Sequence, residues 1–572
     1  MGEIYGIDLG TTNSCISVLK EGKPHTIPVD GSGIVPSVVS FDGKEILVGR
    51  KAWNRAAAFP EESIRSVKRL MGTVEKLTLG KNNYDPEDIS AMILRYLCDE
   101  ARDLEGCQVE RVVITVPAYF SDAQRRATVE AGKRAGLTVE RIINEPTAAA
   151  LFYDHVSVVA EGAVDAKENA GEDIHALVYD LGGGTFDVSV LRIGEIIEVL
   201  ASTGDTYLGG DDFDKRLVVR VLQQIKDTEG LDLTDHVPAL ARLSLVAERA
   251  KIALSNKALV RIQEAYIPAP KGKSCSVSME FSREEFETLT KDLVDRTFVS
   301  VEKAMEEANL TPDKIDKVLL VGGMTRMPVI SARLEQIFGA ARLPAVDPDL
   351  SVANGAAIQG GIISGENCEQ ILVDVTPHTL SLETLSHSDD LLYECIPIIP
   401  RNTQIPVTRA RTFLTTAYHQ KAAELKVYQG ESRDPKENTL IGKTMLELAS
   451  AEAHCPILVE YSYDLNGMVR LVAEQKGYSR KTEVRIDSRN PQLFASQELE
   501  ELEDEEENGE KGENRTAVNF VTRRARALIE KMEEGERRQA LFNLLESYGK
   551  ALREESDDVD RVEDQLLSFI EE

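Results

Sequence analysis

From Met1 to about Gly365, short apolar runs alternate with amphipathic stretches. "RVVITVPAYF" (111–120) and "KVLLVGGMT" (317–325) read as strands buried on both faces, and "SDAQRRATVEAGKRAG" (121–136) reads as a helix. This alternation predicts parallel sheets flanked by helices. After "GENCEQILVDVTP" (365–377) the period changes. From Val375 to about Asn490, "AELKVYQGE", "ILVEYSYDLNGMVRLVAEQ" and "TEVRI" alternate at the spacing of half-buried strands. Asn466-Gly467 offers the positive φ that a two-residue hairpin needs. An all-β region is expected there. "QELEELEDEEENGEKGEN" (497–514) follows, a block of like charge that stays solvated and builds no core. Beyond it Val521, Ala525, Leu528, Ile529 and Met532, then Leu541, Leu544 and Leu545, recur at helical spacing and predict a short helical tail.

One internal repetition stands out. "IYGIDLGTTNSCISVL" (4–19) and "ALVYDLGGGTFDVSVL" (176–191) align without a gap, sharing Asp-Leu-Gly in the middle and Ser-Val-Leu at the end. Each holds an apolar strand, an aspartate, a tight Gly/Thr turn and a second strand. Gly10, Gly182, Gly183 and Gly184 lack the side chain that would keep backbone N–H groups from an anion. Thr11, Thr12 and Thr185 add hydroxyl donors, while Asp8, Asp180 and Asp187 can hold a hydrated divalent cation that offsets phosphate charge. A pair of such turns can clasp a polyphosphate from opposite sides. An isolated "DLGGGT" reads equally as a plain Gly-rich turn; the duplication with matched aspartates favours the clasp. No Walker-A loop or Rossmann glycine fingerprint stands in a strand-to-helix setting.

At 572 residues several domains are expected. With 42% hydrophobic and 28% charged residues the composition is that of a soluble globular chain, without an apolar run long enough to cross a bilayer or a secretory leader at its start. A net charge of −31 disfavours nucleic-acid binding, which needs surplus Lys and Arg. The seven scattered cysteines form no pair at metal or redox spacing and suit reduced thiols, so a cytoplasmic location with no membrane partner is expected.

The chain resembles the DnaK-type, seventy-kilodalton heat-shock chaperone family. The resemblance rests on "GIDLGTTNSC", "VKRLMG", "VVITVPAYFSDAQR", "RIINEPTAAAL", "VYDLGGGTFDVSV", "GDTYLGGDDFD", "AERAKIALS", "LLVGGMTRMP" and "DPDLSVANGAAIQGG". It implies an α/β actin-like (duplicated ribonuclease-H-like) ATPase domain over 1–367, an interdomain linker over 368–374, an all-β peptide-binding sandwich over 375–490, and an acidic spacer with a short helical lid over 491–572. It implies ATP or ADP, magnesium and potassium as cofactors. Among site residues, it gives Lys68 reach to the β- and γ-phosphates and the attacking water, and Glu145 the water network around magnesium, with Asp180 and Thr185 beside them. Asn13 joins the first phosphate turn. Glu248, Lys251 and Ser255, along one helix face, oppose Gly322, Gly323 and Arg326 around adenosine, and Asp349 helps line the cleft. Pro117 becomes a nucleotide switch, with a strand-ending proline as the plainer reading. Without the motif, Lys68 would be one more surface base.

The same resemblance implies that Ile371, Leu372, Val373 and Asp374 form a linker that docks conditionally, although a plain edge strand remains open. In the β region Phe413 and Leu425 become pocket walls, Thr416 and Ala423 arch over an extended peptide, and Leu385 is a further contact; ordinary sandwich core is the alternative for Phe413 and Leu425. Arg141 matches a docking point for J-domain co-chaperones, against a solvent-exposed arginine, and a nucleotide-exchange factor is implied with it. Unfolded or hydrophobic polypeptide is the implied client. A small-molecule kinase or a nucleotide-dependent assembly protein of the same fold stays as the alternative. Departures from the family are the short "TVEKLTLGKNNYDPED", the insertion "HVSVVAEGAVDAKENAGEDIH", a longer "SHSDDLLYECIPIIPRN", and a short, divergent lid. With "SFIEE" at the end, these favour a compact bacterial paralogue whose reduced lid lets peptide exchange quickly.

Overall fold

The computed structural model describes residues 3–485, apart from 57, 161–172, 195, 345–346, 367–369, 387–392, 417–418, 450–453 and 479, together with the helix Glu536–Arg553. The repeated sequence becomes a repeated sheet. In the first, Ile4–Leu9 runs antiparallel to Asn13–Lys20, which runs antiparallel to Lys23–Thr26, while Arg111–Val116 lies parallel on the other side of Ile4–Leu9. In the second, Ile174–Leu181, Phe186–Ile193 and Ile196–Asp205 make the same antiparallel meander, with Lys317–Val321 parallel to the first of them. Ile4–Leu9, Ile174–Leu181 and Phe186–Ile193 are buried almost throughout because helices cover both faces.

The halves meet through two helices, Glu145–Ala160 and Ser351–Ser364. "SVANGAAIQGGIIS" is rich in small residues for a steric reason. A methyl on Gly355 would lie 1.8 Å from the Ala148 carbonyl oxygen, and one on Gly6 would lie 2.1 Å from the Ala357 nitrogen. Backbone therefore packs on backbone here. Ala148, Ala150, Val178, Val352, Ala356 and Ile358 form the apolar core of this seam, flanked by a core around Tyr5, Ile7 and Ile114 and another around Tyr179, Phe186 and Phe213. The stretch read as an inserted loop begins as helix: His155 to Ala160 continue the helix from Glu145, and 161–172 lie outside the described residues.

The β region is a sandwich. One sheet is ordered Tyr393–Ile399, Leu380–Leu385, Ala422–Gln429, Thr439–Glu447; the other Val407–Leu414, Pro456–Tyr463, Val469–Gln475, Arg480–Arg485. Leu380, Leu382, Leu425, Val427, Val459 and Tyr461 fill the space between them. The expected two-residue turn at Asn466-Gly467 is instead a longer loop between Tyr463 and Val469. Only Gly467 has positive φ, at 70°, and Asp464 Oδ1 accepts from the N–H groups of Asn466 and Met468. The Asp464 side chain organises the loop, so Asn466 is freed for another contact.

Ile371–Val375, the segment read as a linker, is a strand. It pairs in parallel with Ile196–Glu198 and, through Asp374 and Val375, antiparallel with Gln404–Ile405. Paired on both sides, it is an inner strand rather than a plain edge strand, and Gln404–Ile405 takes the edge of the second sheet. Residues 1–493 pack as one compact unit and 494–572 as another. In the latter Leu541 and Tyr548 are buried on the helix Glu536–Arg553, which also carries Leu544 and Leu545. The spacer and Val521 to Met532 lie outside the described residues.

Candidate functional site

The two Gly/Thr turns face each other across a cleft. A methyl on Gly183 would lie 1.9 Å from Thr12 Oγ1, and one on Gly184 2.7 Å from Thr11 Cγ2, so these glycines admit the opposing turn as well as any anion. The second turn is braced from below by the start of helix Gly210–Glu229: Gly210 and Asp211 N–H donate to the carbonyls of Gly182 (3.0 Å) and Gly183 (2.8 Å). The first is braced by Ser37, whose Oγ donates to Gly10 O (2.8 Å) and whose N–H donates to Thr12 O (2.8 Å).

Between the turns lies a cavity of about 90 Å³ that opens to solvent. Of the residues singled out in the sequence, Asp8, Gly10, Thr11, Thr12, Asn13, Lys68, Glu145, Asp180, Gly182, Gly183, Thr185, Gly322, Gly323 and Asp349 line it. Cys15, Ile34, Val321, Pro348 and Val352 line it too and carried no sequence signal, being ordinary strand, loop and helix residues. Cys15 stands where the aligned repeat has Asp187, so the two halves are not chemically symmetric. Gly184, Asp187, Arg326, Glu248, Lys251 and Ser255 do not line it.

The polar end of the cavity is strongly anionic. Lys68 Nζ contacts Glu145 Oε1 at 2.5 Å, and both are buried. Asp8 accepts from Thr115 Oγ1 at 2.9 Å, and Asp187 from the Tyr119 N–H at 3.0 Å. Burial, then the Glu145 charge, pushes Asp8 and Asp187 each up to about 7, with Lys68 opposing; the same causes drive Asp180 well above the carboxylate range. Burial alone would lower Lys68, but Glu145 and Asp8 hold it above its usual value. Asp180 Oδ2 is buried without a hydrogen bond. This donor set fits a divalent cation, which would supply the missing positive charge. Among the described residues no group of three or more His, Cys, Asp or Glu side chains is placed to hold a metal ion by itself.

Contacts bridge the lobes beside the cavity. Arg65 pairs with Glu248, Arg69 Nη2 with Asp212 Oδ2 (2.7 Å), and the Arg249 guanidinium lies 5.4 Å from the Trp53 ring centre. Glu248, Lys251 and Ser255 do share the helix Val237–Asn256. Lys251 Nζ donates to Asp214 (2.8 Å) and to Gly210 O (3.1 Å), and burial pushes Asp214 up to about 6. Arg326 is held by Asp349 (2.7 Å) and Asp347 (3.1 Å).

A second constellation joins the lobe of the first sheet to the sandwich. Pro117 ends the strand Arg111–Val116, and Arg125 behind it donates to Ala118 O (3.1 Å) and Asn144 Oδ1 (2.7 Å). Asn144 Nδ2 and Thr147 Oγ1 donate to Asp374 Oδ2 at 2.7 and 3.1 Å. The freed Asn466 Oδ1 accepts from Ile142 N–H (3.1 Å), and Asp122 Oδ1 accepts from Val469 N–H (2.9 Å). Arg141 is partly buried here, its Nε unpaired, rather than a freely solvated side chain. In the sandwich, Leu425 is core, Phe413 and Ala423 sit at the core margin, and Leu385 is exposed. Ala423 lies within its strand opposite Leu446, and Thr416 N–H donates to Gln420 Oε1 at 3.2 Å.

A profile described as Hsp70 protein matches residues 4–568. The chain belongs to the Hsp70 family. It is 43% identical over 498 residues to the chaperone protein DnaK of Thermotoga petrophila, of Thermotoga maritima and of Thermotoga neapolitana, covering 85% of this chain and 80% of each relative. Membership of the Hsp70 family makes the chain an ATPase and an ATP-dependent chaperone, and implies an actin-like ATPase followed by a β-sandwich. Nucleotide binding comes with that membership, and the kinase and assembly alternatives are not favoured.

Proposed function

We propose that ATP, held between the two turns, controls the sandwich's grip on extended apolar polypeptide through the docked strand Ile371–Val375. The observation that carries this reading is that strand's double pairing, to Ile196–Glu198 on one side and to Gln404–Ile405 on the other. Lys68 would stabilise charge on the transferring phosphoryl group and orient water; Glu145, Asp8, Asp180 and Asp187 would hold a hydrated magnesium ion, whose chemistry is to neutralise the phosphates. Potassium would add to that neutralisation. Glu248, Lys251, Ser255, Gly322, Gly323 and Arg326 would frame adenosine, with Pro117 relaying the state of the site. We place the divisions at 367, 374 and 490.

The peptide groove is supported by an opening in the sandwich. Pairing between Leu380–Leu385 and Ala422–Gln429 stops at Leu382↔Val427, so both strands continue without pairing to each other. An incoming strand can use that edge, beside Phe413, Ala423, Leu385 and Thr416. Arg141, next to Asp374, suits a J-domain contact, and the cross-cleft pairs are what an exchange factor would have to open. Stopped-flow release of a labelled apolar peptide tests the reading. ATP should speed release at least tenfold over ADP, whereas equal rates would remove the coupling; release from the ADP state lasting many minutes would remove the fast-exchange expectation.

A further inference from the structure

One residue touches both the phosphate side and the sandwich. Tyr119 donates its N–H to Asp187 Oδ1 at 3.0 Å, and its carbonyl oxygen accepts from His378 Nε2 at 3.3 Å. The two rings meet edge-on, 4.3 Å between centres at 64°. His378 sits between the docked strand ending at Val375 and the sandwich strand beginning at Leu380, so it can move only with the sandwich. Tyr119 sits just past Pro117, so it can move only with the catalytic lobe.

We propose that His378 is a positioning residue through which the sandwich senses Asp187, and that its protonation releases the sandwich from the catalytic lobe. This rests on the ATP-to-peptide coupling proposed above. The contact is crowded with charge from every side: Tyr119 from the segment after Arg111–Val116, Arg125 from helix Asp122–Arg134, Arg401 from the turn after Tyr393–Ile399, and Glu431 from the turn after Ala422–Gln429. Glu431 is already engaged by the N–H and Oγ1 of Thr379, at 3.0 and 2.6 Å. Burial pushes His378 down to about 4; Arg401 and Arg125 act in the same direction, while the Tyr119 carbonyl and Glu431 oppose. Freed into solvent, the imidazole regains its ordinary value of 6.5.

The sign follows from linkage. A histidine depressed in the docked form binds its proton better undocked, so acid favours undocking from about pH 6.5 downward, by roughly tenfold at pH 5.5. Asp122 and Asp374, buried at the same seam with raised values, act oppositely as pH falls, and so do the phosphate-side aspartates. A variant comparison cancels these terms. His378→Gln keeps an N–H donor and cannot titrate; His378→Leu keeps apolar volume.

The test is release of a fluorescein-labelled leucine-rich heptapeptide from the full chain, as the ratio of rates with ATP and ADP, at pH 7.5 and 5.5. The parent ratio should fall about tenfold at the lower pH, while His378→Gln and His378→Leu hold theirs within about twofold. A parent ratio flat with pH, or a parallel fall in both variants, overturns the proposal. A parent ratio of one at pH 7.5 instead removes the coupling on which it rests.

Discussion

Lys68 lies 2.5 Å from Glu145 with Asp8 and Asp180 acting on its charge, so it is a fixed ammonium rather than a titrating base. Lys68→Met keeps the volume and removes that charge. Single-turnover hydrolysis should fall by about 10²–10³, the usual loss for one preorganised electrostatic group. A fall under threefold would separate Lys68 from the chemistry. Asp8 and Asp187, each near 7, give a second expectation. Both are raised above the unfolded value, so near neutral pH each is about half protonated without a cation, and a divalent ion pulls them down. Binding of magnesium with ADP at pH 7 should release on the order of one proton, fading toward pH 9. Calorimetry in buffers of different ionisation enthalpy measures this; no release would mean the carboxylates are already ionised. Asp8 was legible in the sequence because the repeat matches it to Asp180, and Asp187 because it closely follows the second Gly/Thr turn. Their partners were not: Thr115 and Tyr119 reach them through sheet packing, and the stack of Arg249 on Trp53 joins residues far apart in the chain.

At the scale of elements, the turns owe their closeness to missing side chains. Gly183→Ala would put its methyl 1.9 Å from Thr12 Oγ1, and neither turn can retreat freely, being braced by Ser37 and by helix Gly210–Glu229. Overpacking of this kind costs about 1–3 kcal/mol. We expect a small loss in thermal midpoint with at least a tenfold loss in ADP affinity, because the turns must part where the phosphates sit. Unchanged affinity by calorimetry would mean that the close approach is incidental to binding. Elements with strong periodicity, such as Asp122–Arg134 and the duplicated hairpins, were readable from sequence. The loop at Asn466-Gly467 was misread because Asp464, one of its own residues, competes for the backbone N–H groups that a two-residue turn would have paired.

For the whole molecule, the decisive junction is Asp374. The family resemblance made it a switch residue at the end of a conditionally docking linker; what gives it physical weight is that Asn144, Thr147 and the Val375 N–H all converge on it. Burial raises its proton affinity, so the carboxylate is tolerated only while those donors surround it. Asp374→Ala removes the acceptor and leaves Asn144 Nδ2 and Thr147 Oγ1 without it in a closed seam. A buried donor stripped of its partner costs about 1–3 kcal/mol, and each 1.4 kcal/mol is tenfold in an equilibrium. The docked form should therefore lose about 5- to 150-fold in population relative to the undocked one. ATP-driven peptide release should slow accordingly, and peptide should cease to accelerate hydrolysis, since coupling between two sites is reciprocal. ADP affinity should stay within about threefold, because Asp374 is not among the cavity-lining residues. If release stays fast with ATP while the variant is folded, the docked strand is a passenger, and the coupling runs instead through the Asn466 and Val469 contacts with Ile142 and Asp122.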